Sequence, residues 1–363
     1  SLKYLAESKL FLQSADLDGS EYSVAFSQNT HLSYPRSVGR VARILDQISP
    51  ESVKTFKITN LNAEMPLFTT KIDRKDFKKY DELKQTSSLL ESSTIYKITS
   101  EEYKAHKYQP PSDIPKVLSK ISPSVRSQIG GPDGFYFGDI SVAWHNEILL
   151  KENFSILAIA SVGITDNFDD LKLKSDSIIP HVRTDVVRYL KESKKGRITR
   201  LQANYFLNPR DDLFFKFTGG LIEEMFGGIG SEFLWRPFNK NYAIGTEIWR
   251  VQQRDYDQLF SFRDYKTTTG FINYYYREPR SKIKLKLTGG RFLARDSGIH
   301  MDISRRFKSG FTVGVFASKT DISKLEFGEG SFDKGFYFHL PIEAFYTNYS
   351  KGVAAFGLRP LTR

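Results

Sequence analysis

Apolar and polar residues alternate strictly in short runs over most of the chain after Phe135. Clear examples are 213–218, 282–287, 311–318 and 336–342, in which apolar side chains recur at every second position. Successive side chains of an extended strand point to opposite faces, so a period of two predicts β-strands that each carry one apolar face. The later part of the chain is therefore predicted to be mainly β.

About twelve such strands fit between residues 135 and 360. Several span roughly ten residues, which is the length that a tilted strand needs to cross a bilayer. Short turns at 239–240 and 308–309 alternate with longer connections at 255–265 and 321–334, as in outer-membrane barrels. The pattern predicts an antiparallel outer-membrane β-barrel, either complete in this chain or part of a larger one. A soluble β-sandwich with shorter strands is the alternative.

Aromatic residues crowd the predicted strand ends, where the interfacial girdles of a membrane barrel lie. They are Phe233, Trp235, Tyr274, Tyr275, Tyr276, Tyr346 and Tyr349. The direction of the barrel is less clear from the pattern. If its first strand begins near Phe135 directly after a periplasmic domain, the longer connections fall at the periplasmic end. Either a strand precedes Phe135, or those connections lie in the periplasm or inside the barrel.

The first 80 residues follow other periodicities and predict a small α/β periplasmic domain. An amphipathic helix is expected within Leu2–Leu12, and a second one between Pro35 and Pro50, where apolar residues recur at helical spacing. The predicted strands are 22–26, 53–58 and 67–72. Residues 81–134 lack a persistent pattern and contain several prolines and glycines, so they predict an extended linker before a transmembrane barrel region at 135–363.

Composition and charge narrow the function classes. The mean hydropathy is −0.40, and no run approaches the roughly 20 apolar residues of a spanning helix. This does not argue against a barrel, because only alternate side chains face lipid there. The net charge of +11 suits nucleic acid, acidic polysaccharide or lipopolysaccharide phosphate. Basic residues are dispersed and nucleic-acid motifs are absent, so nucleic acid is not expected as a partner.

Motifs for catalysis are also absent. There is no cysteine, no phosphate loop and no nucleophile elbow, and the histidines never lie three or four residues apart. Glu223 and Glu224 are adjacent, and neighbours on a strand point to opposite faces, so they do not form a glycosidase pair. One of them is expected to pair with an interior arginine. We therefore expect no enzyme activity, no metal and no cofactor.

Charged residues within the β pattern are the candidates for ligand contact. The stretches 254–257 and 262–265 combine Arg, Asp and Tyr, which either hydrogen-bond sugars or hold a loop together through Arg–Asp pairs. Charges on strands are expected to face the lumen of a barrel, because lipid contact is unfavourable. These strand arginines are Arg236, Arg250, Arg291, Arg305 and Arg306. A basic lumen would attract an anionic polymer, or the charges would form a salt-bridged plug.

Several motifs occur in an order that resembles a known family. They are 39–45 (GRVARIL), 179–185 (IPHVRTD), 223–230 (EEMFGGIG), 235–238 (WRPF), 254–258 (RDYDQ), 262–265 (FRDY), 328–336 (GEGSFDKGF) and 359–363 (RPLTR). Together they resemble the YjbH-type family of outer-membrane proteins and lipoproteins linked to exopolysaccharide and group 4 capsule production. The resemblance covers nearly the whole chain. Since such proteins are generally longer, it implies a barrel that a further segment completes.

The motifs extend the set of candidate residues without supplying a catalytic one. The full set of polysaccharide or lumen candidates is Arg183, Asp185, Glu223, Glu224, Arg236, Arg250, Arg254, Asp255, Asp257, Arg263, Asp264, Arg291, Arg305, Arg306 and Glu329.

Three functions follow as hypotheses. The first is a non-enzymatic outer-membrane component that helps an anionic exopolysaccharide to pass, with membrane lipid, the polymer and other secretion proteins or a second barrel segment as partners. The second is a soluble periplasmic protein that binds or modifies carbohydrate. The third is a general porin or an assembly scaffold.

Overall fold

The chain is mainly β and carries one large antiparallel sheet, as seen in a computed structural model. The structure describes residues 2–28, 30–31, 33–83, 85–111, 114–129, 134–172, 180–323, 333–342 and 353–358. Two sheets account for the strands in this part of the chain. We call the five-stranded one, β1–β5, the small sheet, and the thirteen-stranded one, β6–β18, the large sheet.

The small sheet and its helices occupy the first third of the chain. Their elements are α1 Leu2–Glu7, β1 Leu10–Asp18, β2 Glu21–Gln28, α2 Tyr34–Ile48, β3 Thr55–Asn62, β4 Met65–Asp73, α3 Arg74–Glu82, α4 Thr86–Ser92, β5 Thr94–Tyr96 and α5 Ser100–Lys104. The strands follow sequence order in the sheet, and β2 and β3 are parallel because α2 connects them. Val41 and Leu45 of α2 are fully buried with Phe56 and Ile58 of the sheet. Helical spacing in the sequence thus predicted the face that α2 buries.

Two predictions for this region need correction. The helix expected within Leu2–Leu12 ends at Glu7, and β1 begins at Leu10. Lys9 has a positive φ of 58°, a left-handed conformation that ends the helix and turns the chain into the strand. The linker expected at 81–134 contributes β5 to the small sheet and β6 to the large one.

The large sheet occupies the rest of the described chain. Its elements and the helices between them are β6 Lys116–Ile129, β7 Tyr136–Lys151, β8 Phe154–Asp166, a 3₁₀ turn Phe168–Asp170, α6 Val186–Glu192, β9 Gly196–Arg210, β10 Leu213–Leu221, β11 Phe226–Trp235, β12 Tyr242–Arg254, β13 Phe262–Arg277, β14 Ile283–Arg291, β15 Ser297–Arg306, β16 Thr312–Thr320, β17 Asp333–Pro341 and β18 Val353–Leu358. Each strand pairs with the next in antiparallel register. Twelve of these thirteen strands, β7–β18, match the number expected after Phe135.

The additional strand β6 changes which end of the large sheet carries the longer connections. The chain enters the large sheet at Lys116 and crosses it once along β6 before β7 begins. The longer connections 167–195, 255–261 and 321–332 therefore join strands at the end opposite to Lys116, which we call the α6 end. The turns between β7 and β8, β9 and β10, and β11 and β12 lie at the other end, which we call the small-sheet end. The small sheet contacts this second end, where Lys97 lies 3.7 Å from a carboxylate oxygen of Asp212.

The two faces of the large sheet differ in chemistry. Residues two apart and residues paired across strands share a face. Following these rules from Val125 on β6 through Ile140, Val162 and Phe217 leads to Ile229, and all five side chains are apolar and exposed. We call this the apolar face. The opposite, polar face carries residues such as Asp139, Gln202, Asn204, Thr218, Glu247, Asn273, Thr288, Asp302 and Tyr337.

The predicted aromatic clusters fall partly as expected. Phe233, Trp235, Tyr274 and Tyr276 lie on the apolar face toward the small-sheet end, whereas Tyr275 lies on the polar face. Tyr346 and Tyr349 are outside the described residues. Among the described helices, none combines the length and the apolar composition needed to cross a membrane.

Candidate functional site

Side-chain hydrogen bonds link neighbouring strands across the polar face. Asn273 donates to Glu247 at 3.0 Å and accepts from Thr288 at 2.7 Å, while Trp249 donates to the other oxygen of Glu247 at 3.0 Å. The ring of Trp249 fits because its neighbour is Gly230, where an added Cβ would fall 2.1 Å from the indole. This glycine therefore permits the close approach of the indole.

Basic side chains gather on the polar face at the small-sheet end. Lys284 stands directly opposite Arg277 in the β13–β14 register, and Lys286 on the same face lies 5.6 Å from the ring centroid of Tyr275. Arg306 and Arg236 add positive charge within electrostatic reach of Lys284. We call Arg236, Arg277, Lys284, Lys286 and Arg306 the basic cluster. Like charges directly opposite one another destabilise a sheet, so the fold tolerates repulsion here.

Sequence reasoning found only part of this basic cluster. Arg236 and Arg306 were candidates, but Arg277, Lys284 and Lys286 were not. The signal was present, because Lys282, Lys284 and Lys286 alternate with aliphatic residues over 282–287. The alternation predicted the strand, but the lysines on its second face were not among the candidate residues.

A second polar site lies at the α6 end, centred on Asp185. One carboxylate oxygen of Asp185 accepts from the Tyr256 hydroxyl at 2.6 Å and lies 3.4 Å from Arg263, and the other lies 2.8 Å from Nδ1 of His181. Burial raises the pKa of Asp185, but the hydrogen bonds from Tyr256 and His181 outweigh it, so the pKa is held below its ordinary value. The carboxylate stays ionised and anchors the connection between β8 and β9.

The ring of Tyr256 stacks between two cations. The guanidinium carbons of Arg188 and Arg263 lie 3.7 Å and 4.3 Å from its centroid. Tyr189 packs edge-on against the same ring, with centroids 4.9 Å apart. Burial, and next the bond to Asp185, raise the pKa of Tyr256 to about 12, so its hydroxyl remains a donor at neutral pH. The aromatic faces are thus occupied by the protein's own side chains.

Arg254 holds the start of β9 and two connections together. It is fully buried, and its guanidinium donates to the main-chain carbonyls of Glu223 at 2.6 Å, Ile198 at 2.8 Å and Leu259 at 3.0 Å. It also donates to the carbonyl of Gln258 at 2.5 Å. These hydrogen bonds go to carbonyls rather than to carboxylates, so the role of Arg254 is to tie the start of β9 to the β10–β11 and β12–β13 connections.

Acidic candidates near Arg254 serve the loops themselves. The carboxylate of Asp255 accepts from the main-chain N–H of Tyr256, and that of Asp257 accepts from Leu259. These bonds agree with the loop-stabilising reading of 254–257, although the partners are backbone groups rather than arginines.

Glu223 and Glu224 lie in the β10–β11 turn and not on a strand, which corrects the expected geometry. Turn residues need not point to opposite faces, so the strand argument against a carboxylate pair does not apply. Glu223 instead forms an ion pair with Arg183 at 2.9 Å, and neither of the two side chains is buried. Arg183 also lies 5.7 Å from the ring centroid of Phe226. Glu224 lies within electrostatic reach of Arg197 and Arg254.

Three strand arginines do not share the polar face. Arg250, Arg291 and Arg305 lie on the apolar face, since their register partners include Ile229, Gly270 and Val313. The expectation that strand charges avoid this face is therefore wrong for these residues. Arg291 and Arg305 lie at or next to strand ends, whereas Arg250 lies four residues before the end of β12. Asp264 also shares this face, and Glu329 lies outside the described residues.

One further polar group was missed by sequence reasoning. Asp139 on β7 accepts from Arg126 at 2.7 Å and from Arg197 at 2.9 Å, and the side chains of Asp139 and Arg197 are almost fully buried. Two guanidinium groups thus share one carboxylate. Asp139 and Arg197 are 58 positions apart in the sequence, so no local motif could have predicted their contact.

In the described part of the chain, no three His, Asp or Glu side chains converge on a common point. At the small-sheet end the polar face carries the basic cluster. At the α6 end, hydrogen bonds of Asp185 and Arg254 hold the connections together.

Comparison with known proteins gives this arrangement a family. The family described as exopolysaccharide biosynthesis protein YbjH, with the short name YjbH, matches residues 2–363. This chain belongs to the YjbH family. An Escherichia coli (strain K12) relative, named uncharacterized lipoprotein YjbH, is 31% identical over 333 residues. That alignment covers 89% of this chain and 47% of the relative, so the chain spans about half of its length. The resemblance drawn from the motifs is thereby confirmed.

Proposed function

We propose that this YjbH-family chain is a non-enzymatic β-barrel component of the bacterial outer membrane that assists the passage of an anionic exopolysaccharide. The observation that carries the proposal is the contrast between the two faces of the large sheet. An exposed apolar face suits lipid, and a charged, hydrogen-bonded face suits a hydrated polymer. Family membership supplies the link to exopolysaccharide, and the small sheet would lie in the periplasm.

The apolar face argues for lipid contact because it is exposed from strand to strand. More than half of the surface is exposed in each of four side chains on this face, Trp144, Ile164, Ile229 and Ile272. Leaving one such side chain in water forgoes roughly 1.5–3 kcal/mol of burial free energy. Soluble monomers rarely expose apolar side chains on so many neighbouring strands of one face. A soluble sandwich would cover it with a second layer, and no such layer occurs among the described residues.

The basic cluster supports an anionic polymer as cargo. Arg277 and Lys284 face one another without an intervening carboxylate in the register, so their charges are available to an external anion. The cluster lies at the small-sheet end, where a polymer coming from the periplasm would first meet the polar face. Tyr275 beside Lys286 offers an aromatic surface against which a sugar ring can stack.

The other proposed partners follow from the length and the name of the Escherichia coli relative. Because this chain spans about half of its relative, a further segment would extend the sheet or form a second one. The relative is named a lipoprotein, and a lipid anchor on the periplasmic side would agree with the position of the small sheet. Other polysaccharide-secretion proteins would dock on that side.

Vesicle reconstitution tests the membrane placement. The full chain is folded into detergent, mixed with phosphatidylethanolamine and phosphatidylglycerol vesicles, and floated on a density gradient after a sodium carbonate wash. We expect the chain to float with the vesicles and to resist proteolysis within β7–β16. Recovery as a detergent-free soluble monomer would contradict the proposal. Shortening of an acidic polysaccharide by the chain would instead support the carbohydrate-modifying alternative.

A further inference from the structure

A row of cations crosses the apolar face near the α6 end. Its members are Arg250 on β12, Lys266 on β13, Arg291 on β14 and Lys319 on β16, and all four are exposed. Their register partners place them on one face: Arg250 pairs with Ile229, Lys266 with Gln252, Arg291 with Gly270 and Lys319 with Ile299. We call these four residues the basic band.

The basic band borders a belt of exposed isoleucines. Ile229, Ile248, Ile272 and Ile299 are exposed to 66%, 56%, 65% and 63% on the same face. Ile248 is two residues from Arg250, and Ile299 is the direct partner of Lys319. On each of these strands the cation lies beyond the last aliphatic side chain of this face toward the α6 end. That is the level of lipid headgroups if this face meets a bilayer.

The protein does not neutralise this band within the described residues. None of the four cations forms an ion pair there, and Arg250 donates only to the hydroxyl of Thr268, at 3.0 Å. Two carboxylates lie beside the band: Asp264, two residues beyond Lys266 on β13, and Asp321, two residues beyond Lys319, which accepts from the main-chain N–H of Ser297, the register partner of Arg291. Four cations against these two carboxylates leave the band with a net positive charge.

The other end of the apolar face is built differently. At the small-sheet end Phe233, Trp235, Tyr242, Tyr274 and Tyr276 line the same face, and Trp235 packs edge-on against Tyr242 with centroids 5.9 Å apart. The cations at that level, Lys151, Arg210 and Arg305, lie on the separated strands β7, β9 and β15. Aromatic rings with scattered cations at one end, and cations on nearly adjoining strands at the other, indicate two lipid surfaces of different chemistry.

We propose that the basic band binds the phosphate groups of a phosphorylated glycolipid in the leaflet at the α6 end. The inference rests on the proposed membrane placement and adds a ligand and an orientation to it. Neighbouring strands lie about 4.8 Å apart, so β12 to β16 span roughly 19 Å, which is room for more than one phosphate. Arg250 and Arg291 offer bidentate donors that match phosphate oxygens.

Lipid binding to the detergent-solubilised full chain tests the proposal. Native mass spectrometry measures the bound fraction of lipid A with two phosphates, of the same lipid after enzymatic dephosphorylation, and of phosphatidylglycerol. We expect the bisphosphorylated lipid to bind about tenfold more tightly than the dephosphorylated one, and the preference to weaken with added salt. The triple variant Arg250→Gln, Arg291→Gln, Lys319→Gln should lose that preference.

A matched variant controls for the loss of charge. Lys240→Gln, Arg280→Gln, Lys308→Gln removes the same number of cations from turns at the small-sheet end and should bind lipid A within about twofold of the unmodified chain, since those turns lie away from the band. Equal binding by the two triple variants, or no effect of dephosphorylation, would overturn the proposal. Equal affinity for phosphatidylglycerol would overturn the assignment to a glycolipid. If the unmodified chain needs no detergent at all, the membrane placement itself fails.

Discussion

The guanidinium of Arg254 donates a 2.6 Å hydrogen bond to the main-chain carbonyl of Glu223, which joins the end of β12 to the β10–β11 turn. Both residues are charged and lie in motifs that suggested ligand contact. The bond uses the arginine side chain and the glutamate backbone, so it is a structural tie. The Glu223 carboxylate is left for Arg183.

Replacing Arg254 should therefore disorder the α6 end without unfolding the small sheet. Arg254→Met leaves several buried carbonyls without a donor, and we expect a loss of about 3 kcal/mol or more in the stability of these connections. Hydrogen exchange should rise in 186–198 and 255–261. Arg250→Met, on the same strand but exposed, is the control and should change exchange there little. Equal protection in both variants would contradict the role assigned to Arg254.

The Asp185 carboxylate gives the α6 end a pH dependence with a defined sign. Its pKa is lowered in the folded state, so its contribution to stability is present above the ordinary aspartate value near 4 and is lost as pH falls through the lower folded value. Asp185→Asn should reduce stability by about 1–3 kcal/mol at pH 7. The difference between the two proteins, followed by limited proteolysis of 180–196, should shrink below about pH 4. A difference that stays constant at acidic pH would refute this account.

The interaction free energy between Tyr256 and Asp185 should come mainly from the Tyr256 hydroxyl and not from its ring. Tyr256→Phe keeps the stacking between Arg188 and Arg263 but removes the 2.6 Å hydrogen bond. In a double-mutant cycle with Asp185→Asn we expect a coupling energy of about 1–2 kcal/mol. Tyr189→Phe with Asp185→Asn is the matched cycle. Its hydroxyl donates to the Arg254 carbonyl instead, so near-additivity is expected.

A charge on the apolar face should prevent membrane insertion. Ile272→Lys places an ammonium in the isoleucine belt, at a cost of about 2–4 kcal/mol if that position lies near the bilayer centre. The fraction of the chain that floats with vesicles should fall accordingly. Ser318→Lys puts the same charge on the polar face of β16 and should float normally. Similar flotation of both variants would mean that the apolar face does not contact lipid.

Replacing Lys284 should raise the stability of the sheet and weaken the binding of an acidic polysaccharide. Because it faces Arg277 directly, Lys284→Thr relieves repulsion and should raise the stability of the sheet by about 0.5 kcal/mol. Affinity for an acidic polysaccharide should fall about threefold, whereas affinity for neutral dextran should not change. Lys308→Thr, in the turn between β15 and β16, removes a charge outside the basic cluster. A decrease in stability for Lys284→Thr would argue against repulsion at this position.

Strand alternation identified most of the large sheet but missed its first strand. β6 contains Pro123, and proline normally argues against a central strand. In the described part of the chain β6 pairs with β7 alone, so the missing N–H of Pro123 does not interrupt a second ladder. Whether a strand has one neighbour or two depends on the whole sheet, and that information is absent from the local pattern. This single strand also decided which end carries the longer connections.

The candidate site divides in the same way. Local sequence determined which residues are charged, which positions alternate and that a connection begins at Asp255, because these properties depend on neighbours a few residues apart. The connection ends at residue 261 rather than at 265 as predicted, because β13 begins at Phe262. Tertiary structure alone decided that Arg254 binds backbone carbonyls, that Arg250 and Arg291 lie on the apolar face, and that Asp139 meets Arg197. Register sets the face of a strand residue, and a shift of one residue reverses it. Register is fixed by pairing across the whole sheet, so charge can be read from sequence, whereas the direction in which that charge points cannot.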